Sequence, residues 1–363
     1  MVFLSILYFF AGLILLVAGA ESLVRGASRS AALLGISPLV IGLTVVAFAT
    51  SSPEMTVCIH SALAGKGDIA VGNVVGSNIL NILLILGLSA TIIPLAVSRQ
   101  LIRFDLPVMI FSSLVMYIFS LDGRITFFEG WILIGGIVLY TFYSVVRSRK
   151  SRRGGYGAGS DTPEKQRRLS PRALFPYFLL VLFGLGFLIA GSHLMIRGAT
   201  DIARHLKVSE LVIGLTIIAA GTSLPEAATS IVASIRGERD IAVGNAVGSN
   251  IFNILAALGL TALSSPGGVQ VTSKAFHFDI PIMFMVALFC LPVFYSDFTI
   301  DRREGILFLL YYCAYTIYLI LSSTGSEILP FFSRITLFVV IPATLLFWLF
   351  TFFRSSVGIR GGK

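Results

Sequence analysis

The stretch GLTVVAFATSSPEMTVCIHSALAGKGDIAVGNVVGSNILNILLILGL at residues 42–88 returns as GLTIIAAGTSLPEAATSIVASIRGERDIAVGNAVGSNIFNILAALGL at 214–260. The offset is constant: 226 − 54 = 172 for the glutamates and 244 − 72 = 172 for the glycines. Of the 47 aligned positions 27 are identical, which marks an internal repeat. Each copy sets a glutamate, Glu54 or Glu226, directly after a proline in the middle of an apolar stretch. An ionisable side chain at membrane depth is costly and marks function. Two of them at matching positions point to one site at a repeat interface, as in transporters.

Composition agrees. The chain is 56% hydrophobic and 12% charged, with a mean hydropathy of +0.92. Long apolar runs between short polar connections describe a polytopic helical membrane protein. The alternating ten-residue segments of a membrane β-barrel are missing. Cys58, Cys290 and Cys313 show neither ligand spacing nor a pairing pattern and read as core or lipid-facing residues. No HExxH or similar histidine arrangement occurs. The first residues are no signal peptide, because no basic segment precedes the apolar run. They also have a repeat partner: AGAESLVRGAS at 18–28 matches IAGSHLMIRGAT at 189–200.

The hydropathy pattern predicts an all-α membrane protein with helices over 2–22, 36–63, 70–95, 104–121, 126–146, 173–195, 208–235, 242–264, 276–296, 304–322 and 330–353. The first five match the second five in order, and FDLP at 104–107 recurs as FDIP at 278–281. Residues 1–146 and 173–322 are then two repeats, and 323–363 an extra C-terminal helix with a basic tail. Residues 147–172 carry nine Lys/Arg against two acids, with Gly, Ser and Pro between them. They read as a flexible cytoplasmic linker by the positive-inside rule. That places the N-terminus outside and leaves the basic connection 197–207 on the less favoured outer face. An odd helix number per repeat inverts the second half relative to the first. The result is an inverted-topology repeat of 5+5 transmembrane helices plus an eleventh. The net charge of +9 needs no nucleic acid; it serves topology and phospholipid contact. The partners implied are the bilayer and inorganic cations, with no protein partner evident.

Two paired motifs carry the chemistry. The first is Thr50-Ser51-Ser52-Pro53-Glu54 with Thr222-Ser223-Leu224-Pro225-Glu226. Proline inside a helix removes one backbone hydrogen bond and displaces the carbonyl four residues earlier. Non-helical backbone at membrane depth survives only where protein or a cavity covers it. Carbonyls, hydroxyls and carboxylates together are the ligand set of a hard cation. A single copy could equally be a kink with a snorkelling glutamate; the second, symmetric copy favours ligation. The other motif runs from Asp68 to Asn81 and again from Asp240 to Asn253. Gly72/Gly76 and Gly244/Gly248 are GxxxG faces for close helix approach. Ser77 and Asn81 share a helix face, as do Ser249 and Asn253. Asn73, Asn78, Asn245 and Asn250 read mainly as interhelical hydrogen-bond glue, and Asp68 and Asp240 as helix caps.

These paired motifs, with the ten helices around them, resemble the two alpha-repeats of the calcium/cation antiporter superfamily, the sodium/calcium exchangers and their prokaryotic relatives. The resemblance implies a ten-helix inverted-repeat core exchanging Ca2+ against Na+ or H+, without a cofactor. Carried over residue by residue, the cluster is Glu54, Glu226, Asn81 and Asn253 at the centre. Thr50, Ser51, Ser77, Thr222, Ser223 and Ser249 surround it, with the backbone carbonyls of Ala47 and Ala219. The first and sixth helices become the sliding elements. Related exchangers often carry an aspartate in one of the slots held here by Asn81 and Asn253. Two amides leave two formal negative charges, which suits one Ca2+. The eleventh helix is a further departure, and the 26-residue linker is too short for a calcium-sensing domain.

Two rivals fail on their residues. A membrane protease needs a nucleophile with a base, and no histidine lies in either motif. A lipid-pyrophosphate enzyme needs clustered aspartates for Mg2+, which are missing. A non-enzymatic cation antiporter remains, with a passive channel as the alternative transporter and Ca2+/H+ exchange as the alternative coupling.

Overall fold

A computed structural model describes residues 2–153, 171–208, 210–213, 216–217, 219–265, 267–295 and 298–336, with Phe338 and Pro342. It is almost entirely helical: α1 Val2–Leu34, α2 Pro38–Thr50, α3 Ser52–Leu63, α4 Gly67–Ile92, α5 Leu101–Phe119, α6 Phe127–Arg153 and α7 Pro171–His205. These are followed by α8 Glu210–Ile213, α9 Ala219–Gly221, α10 Leu224–Ile235, α11 Arg239–Ser264, α12 Ala275–Tyr295, α13 Arg302–Ser323 and α14 Leu329–Ile335. Eight of these are long and apolar enough to cross a membrane, and α2 with α3 forms a ninth, bent span.

The break in that span lies where the sequence puts it. Ser37 caps α2 through its side chain, and Pro38 occupies the first turn, where a missing N–H costs nothing. Pro53 in the first turn of α3 forces a restart, and Ser51 takes φ −81° and ψ 3° between limbs that meet at 45°. The equivalent α10 begins just before Pro225. Both second limbs end in matched glycines, Gly65 at φ +73° and Gly237 at φ +80°, a conformation that favours glycine.

The core is built around α4 and α11, in which every residue from Ile241 to Phe252 is buried. Both pass through a π-helical turn that begins at the equivalent asparagines, Asn81–Leu86 and Asn253–Leu258. The long helices α1 and α7 lie against one another in antiparallel register. Their contact is a seam of glycines seven apart: Gly12, Gly19 and Gly26 on one, and Gly184, Gly191 and Gly198 on the other. A Cβ on Gly12 would lie 2.7 Å from the Gly191 carbonyl oxygen, and one on Gly184 would lie 2.8 Å from that of Gly19. Only glycine permits such backbone approach.

Two short antiparallel ladders join the halves. Strand β1 (Leu95–Ala96) pairs with β4 (Thr299–Ile300), and β2 (Arg124–Ile125) with β3 (Val269–Gln270). Each ties a loop of one half to a non-equivalent loop of the other.

The structure corrects several expectations. Helix α1 runs to Leu34 rather than 22, because Glu21 and Arg25 pair along it and Leu23, Val24, Ala27 and Ala31 bury its last turns. At 33 residues it measures about 50 Å, longer than a bilayer core. Helix α7 likewise reaches His205, so Arg197 and Arg204 belong to the helix and not to a loop. Helix α6 extends through Arg153 into the expected linker; residues 154–170 lie outside the described residues. Asp68 and Asp240 are not caps. Lys66 and Glu238 hold those positions without a side-chain cap bond, and the aspartates sit in the first turn, where they still suit the helix dipole. Of the helix expected over 330–353, Leu329–Ile335 is described as one element and Thr336, Phe338 and Pro342 as single helical residues; the rest lies outside the described residues.

Candidate ion site

The two broken helices meet the two central helices at a single buried cluster. Glu54 and Glu226 are both fully buried. Each is held by the serine of the other copy. Ser51 Oγ donates to Glu226 Oε1 at 3.0 Å, and Ser223 Oγ donates to Glu54 Oε1 at 2.9 Å. Ser77 Oγ lies 3.1 Å from Ser223 Oγ.

The central amides cross in the same reciprocal way. Asn78 and Asn250 each donate to the other's backbone carbonyl, at 3.3 and 3.2 Å. Asn81 Nδ2 donates to Asn250 Oδ1 at 3.0 Å, and Asn253 Nδ2 donates to Asn78 Oδ1 at 3.1 Å. Thr50 Oγ1 donates to Asn245 Oδ1 at 3.1 Å, and Thr222 Oγ1 donates to Asn73 Oδ1 at 3.4 Å. Every one of these bonds except Ser223–Ser77 has a partner displaced by 172 in both residues, the exchange that a local two-fold relation produces.

The glue role read for Asn73, Asn78, Asn245 and Asn250 therefore has a specific geometry. Asn78 and Asn250 bind the amide nitrogens of Asn253 and Asn81, which fixes the direction of those two side chains. Their oxygens are left over. Among the buried atoms without a hydrogen-bond partner are Glu54 Oε2, Glu226 Oε2, Asn81 Oδ1, Asn253 Oδ1 and Ser249 Oγ. Unpaired buried oxygens are destabilising on their own, by about 1–3 kcal/mol each and more when charged. Two carboxylate oxygens, two amide oxygens and one hydroxyl form an oxygen-only donor set suited to a hard cation.

Of the residues named from the sequence, Glu54, Glu226, Asn81, Asn253, Ser51, Ser223 and Ser77 belong to this cluster by direct bonds or orphaned oxygens, and Ser249 joins them. Thr50 is buried and Thr222 half-buried, each turned to an asparagine. Ala47 is buried, and its carbonyl accepts the Ser51 N–H at 2.9 Å. Ala219 opens the short helix α9 beside Thr222. Asn78, Asn250 and Asn245 support the site more directly than their sequence reading suggested. Their signal was present as repeated amides one turn apart on the same face.

The surroundings are less symmetric than the centre. Helix α1 packs closely along α10, and its polar end is fastened there: Ser28 Oγ donates to Glu238 Oε1 at 2.7 Å, and Glu21 pairs with both Arg25 and Arg236. The matching contact of α7 with α3 is all but missing among the described residues. Gly244 and Gly248 press on the backbone of Leu39 and Leu43, whereas a Cβ on Gly72 or Gly76 would meet nothing within 4 Å among the described residues. By these contacts the flank at α10 is sealed by α1, and the flank at α3 is left loose by α7.

Comparison with known proteins agrees with the fold. The chain is 40% identical over 279 residues to the inner membrane protein YrbG of Escherichia coli, covering 76% of this chain and 84% of that protein. It is 29% identical over 350 residues to the sodium/calcium exchanger MaX1 of Methanosarcina acetivorans, covering 88% and 99%. A solved structure of the sodium-calcium exchanger NCX_Mj, soaked with 10 mM Na+ and zero Ca2+, superposes with a TM-score of 0.73 at 32% identity, over 86% of this chain and 98% of that one. The family model described as sodium/calcium exchanger protein matches residues 4–146 and 176–321. Both copies of the glutamate-bearing motif fall inside the matched segments, and the chain belongs to the sodium/calcium exchanger family.

Proposed function

We propose that this protein is a secondary antiporter exchanging Ca2+ for Na+ across the cell membrane by alternating access. One observation carries the reading: two buried glutamates from different halves, each anchored by the other half's serine, keep one unpartnered oxygen apiece, and the oxygens of Asn81, Asn253 and Ser249 are unpartnered too. Glu54 and Glu226 bridge Ca2+ through their free oxygens, and Asn81 and Asn253 add amide oxygens. Ser77 and Ser249, the hydroxyls of Thr50, Ser51, Thr222 and Ser223, and the carbonyls of Ala47 and Ala219 complete overlapping positions at which Na+ competes. Two negative charges balance one Ca2+ with no spare carboxylate. Protons on the same carboxylates are the rival counter-ion.

In this reading residues 1–146 and 173–322 are inverted five-helix repeats, with the N-terminus outside and the basic linker 147–172 in the cytoplasm. The antiparallel seam between the equivalent helices α1 and α7 supports the inversion. So do the two ladders that pair non-equivalent loops. The sealed flank at α10 then faces the cytoplasm, and the loose flank at α3 faces outward.

The test is uptake of radiolabelled Ca2+ into proteoliposomes loaded with Na+, K+ or choline, with and without a pH gradient. Uptake that needs internal Na+ and ignores the gradient is the expected result. Uptake driven by protons alone would make Glu54 and Glu226 the titrating groups of a Ca2+/H+ antiporter. Ca2+ flux indifferent to every counter-ion would overturn antiport.

A further inference from the structure

Helix α10 carries a feature that its counterpart lacks and the ion cluster does not use. Its buried face includes Glu226, Thr229, Ser230, Ala233 and Ser234, spaced three and four apart in a single stripe. Three fully buried hydroxyls thus follow the carboxylate for two turns. The equivalent positions of α3 are Val57, Cys58 and Ala62 (229 − 57, 230 − 58 and 234 − 62 all equal 172). These side chains are close in size to Thr, Ser and Ser but carry no oxygen, so packing in this frame does not require hydroxyls.

Hydrogen bonding inside the protein accounts for Ser230 and Ser234 but not for Thr229. Thr229 Oγ1 has no partner. Ser234 Oγ turns back to the Ser230 carbonyl at 2.8 Å, and Ser230 Oγ accepts from Asn245 Nδ2 at 2.9 Å, where Cys58 meets Asn73 in the other half. Ser89 of α4, which packs on α10, is likewise fully buried with no partner. A buried hydroxyl left unpaired is unfavourable, and two of them, Thr229 and Ser89, on helices packed together want a polar species to meet. The stripe begins at Glu226 and leads along α10 towards the turn that bears Glu238 and Asp240.

We infer that Thr229, Ser230 and Ser234, with Ser89 opposite, line the route by which a partly dehydrated Na+ or Ca2+ passes between the central cluster and the membrane face bearing Glu238. The inference rests on the antiporter reading. Hydroxyl oxygens stand in for lost water around the moving cation, as pore-lining oxygens do. The other route, past Val57, Cys58 and Ala62, lacks the three hydroxyls of α10 and keeps Thr261 in the place of Ser89, its Oγ1 turned to the Ala257 carbonyl at 2.6 Å, so the two faces differ in the barrier to ion passage although the site between them is nearly symmetric. Helix α1 packs on the apolar side of α10, against Leu224, Ala228 and Val232, and the polar stripe turns to α11 and α4.

The test transplants the residues of α3. T229V/S230C/S234A is expected to keep wild-type stability and Ca2+ affinity in detergent, while Na+-driven exchange in proteoliposomes slows by about tenfold or more, a loss confined to turnover. An exchange rate within about twofold of wild type overturns the inference. If the triple variant does not fold, single-cysteine S234C in a C58A/C290A/C313A background decides. A membrane-impermeant thiol reagent is expected to label it during turnover from the Glu238 face only. Labelling from the opposite face, or from neither, overturns the route. A wild-type protein without counter-ion-dependent Ca2+ uptake would instead sink the antiporter reading itself.

Discussion

Ser223 Oγ lies 2.9 Å from Glu54 Oε1, and the two residues come from opposite halves of the chain. With the Ser51–Glu226 bond, each carboxylate has one oxygen fixed by the other repeat and one left free. The free oxygens define what each glutamate is for. Replacing either by glutamine removes a charge but keeps the shape and the serine bond. E54Q and E226Q are expected to fold normally and to lose Ca2+ affinity by at least about 100-fold, or roughly 2.7 kcal/mol, with exchange abolished. Calorimetric titration and vesicle flux check this. Near-normal transport by either variant would remove that glutamate from the site.

Asn253 is fixed by Asn78 with its own oxygen unpaired. N253D adds a third negative charge beside the first two. At about 4 Å from a cation and an effective dielectric near 20, one unit charge is worth about 4 kcal/mol per cation charge before desolvation is subtracted. Ca2+ is expected to bind about tenfold or more tightly and to leave more slowly, so turnover falls as affinity rises. Equilibrium binding and exchange rates measured together test this; an unchanged dissociation constant would place Asn253 outside the ion's shell.

The α1–α7 seam makes a prediction independent of ions. A Cβ on Gly191 would stand 2.8 Å from both the Gly12 carbonyl oxygen and the Leu16 nitrogen. G191V is expected to lower stability by about 1–3 kcal/mol through overpacking. Gly186, on the same helix, has nothing within 4 Å of its Cβ position. G186A is expected to be neutral or stabilising by up to about 1 kcal/mol. Thermal unfolding in detergent separates the two.

The fastening of α1 to α10 depends on partly exposed charges, Arg236 being 50% and Glu21 28% exposed at the side chain. Such pairs contribute little, about 0–1 kcal/mol. R236A is therefore expected to leave global stability nearly unchanged, while hydrogen exchange in residues 224–240 accelerates as α1 lifts more often. The charge-reversed pair E21R/R236E should restore protection. Protection unchanged in R236A would mean that apolar packing alone holds the flank.

Much of this was legible in the sequence because the repeat supplied its own control. A lone Pro53–Glu54 could have been a kink with a snorkelling acid; Pro225–Glu226 removed that ambiguity, and both helices restart at their prolines. The true length of α1 was hidden because Glu21, Arg25 and Arg29 read as the end of an apolar run. The intrahelical pair and the small residues facing α7 and α10 carry the helix onward. The π-turns at Asn81 and Asn253 left no compositional mark. One-sided sealing was equally invisible in the paired motifs, because near-identical sequences can close or loosen depending on what lies against them. The seven-residue glycine spacing stood in plain view at 12, 19, 26, 184, 191 and 198, and its meaning emerged only when the two helices were seen side by side.

That spacing bears on how an exchanger avoids short-circuiting its own gradients. Backbone pressed on backbone along the glycine seam leaves little room for one helix to shift without the other. In the antiporter reading α1 and α7 would then move as a single beam with two ends, and lifting it from α10 would bring its far end down on α3. A leak would require both ends to be raised at once, a position that a rigid see-saw does not have.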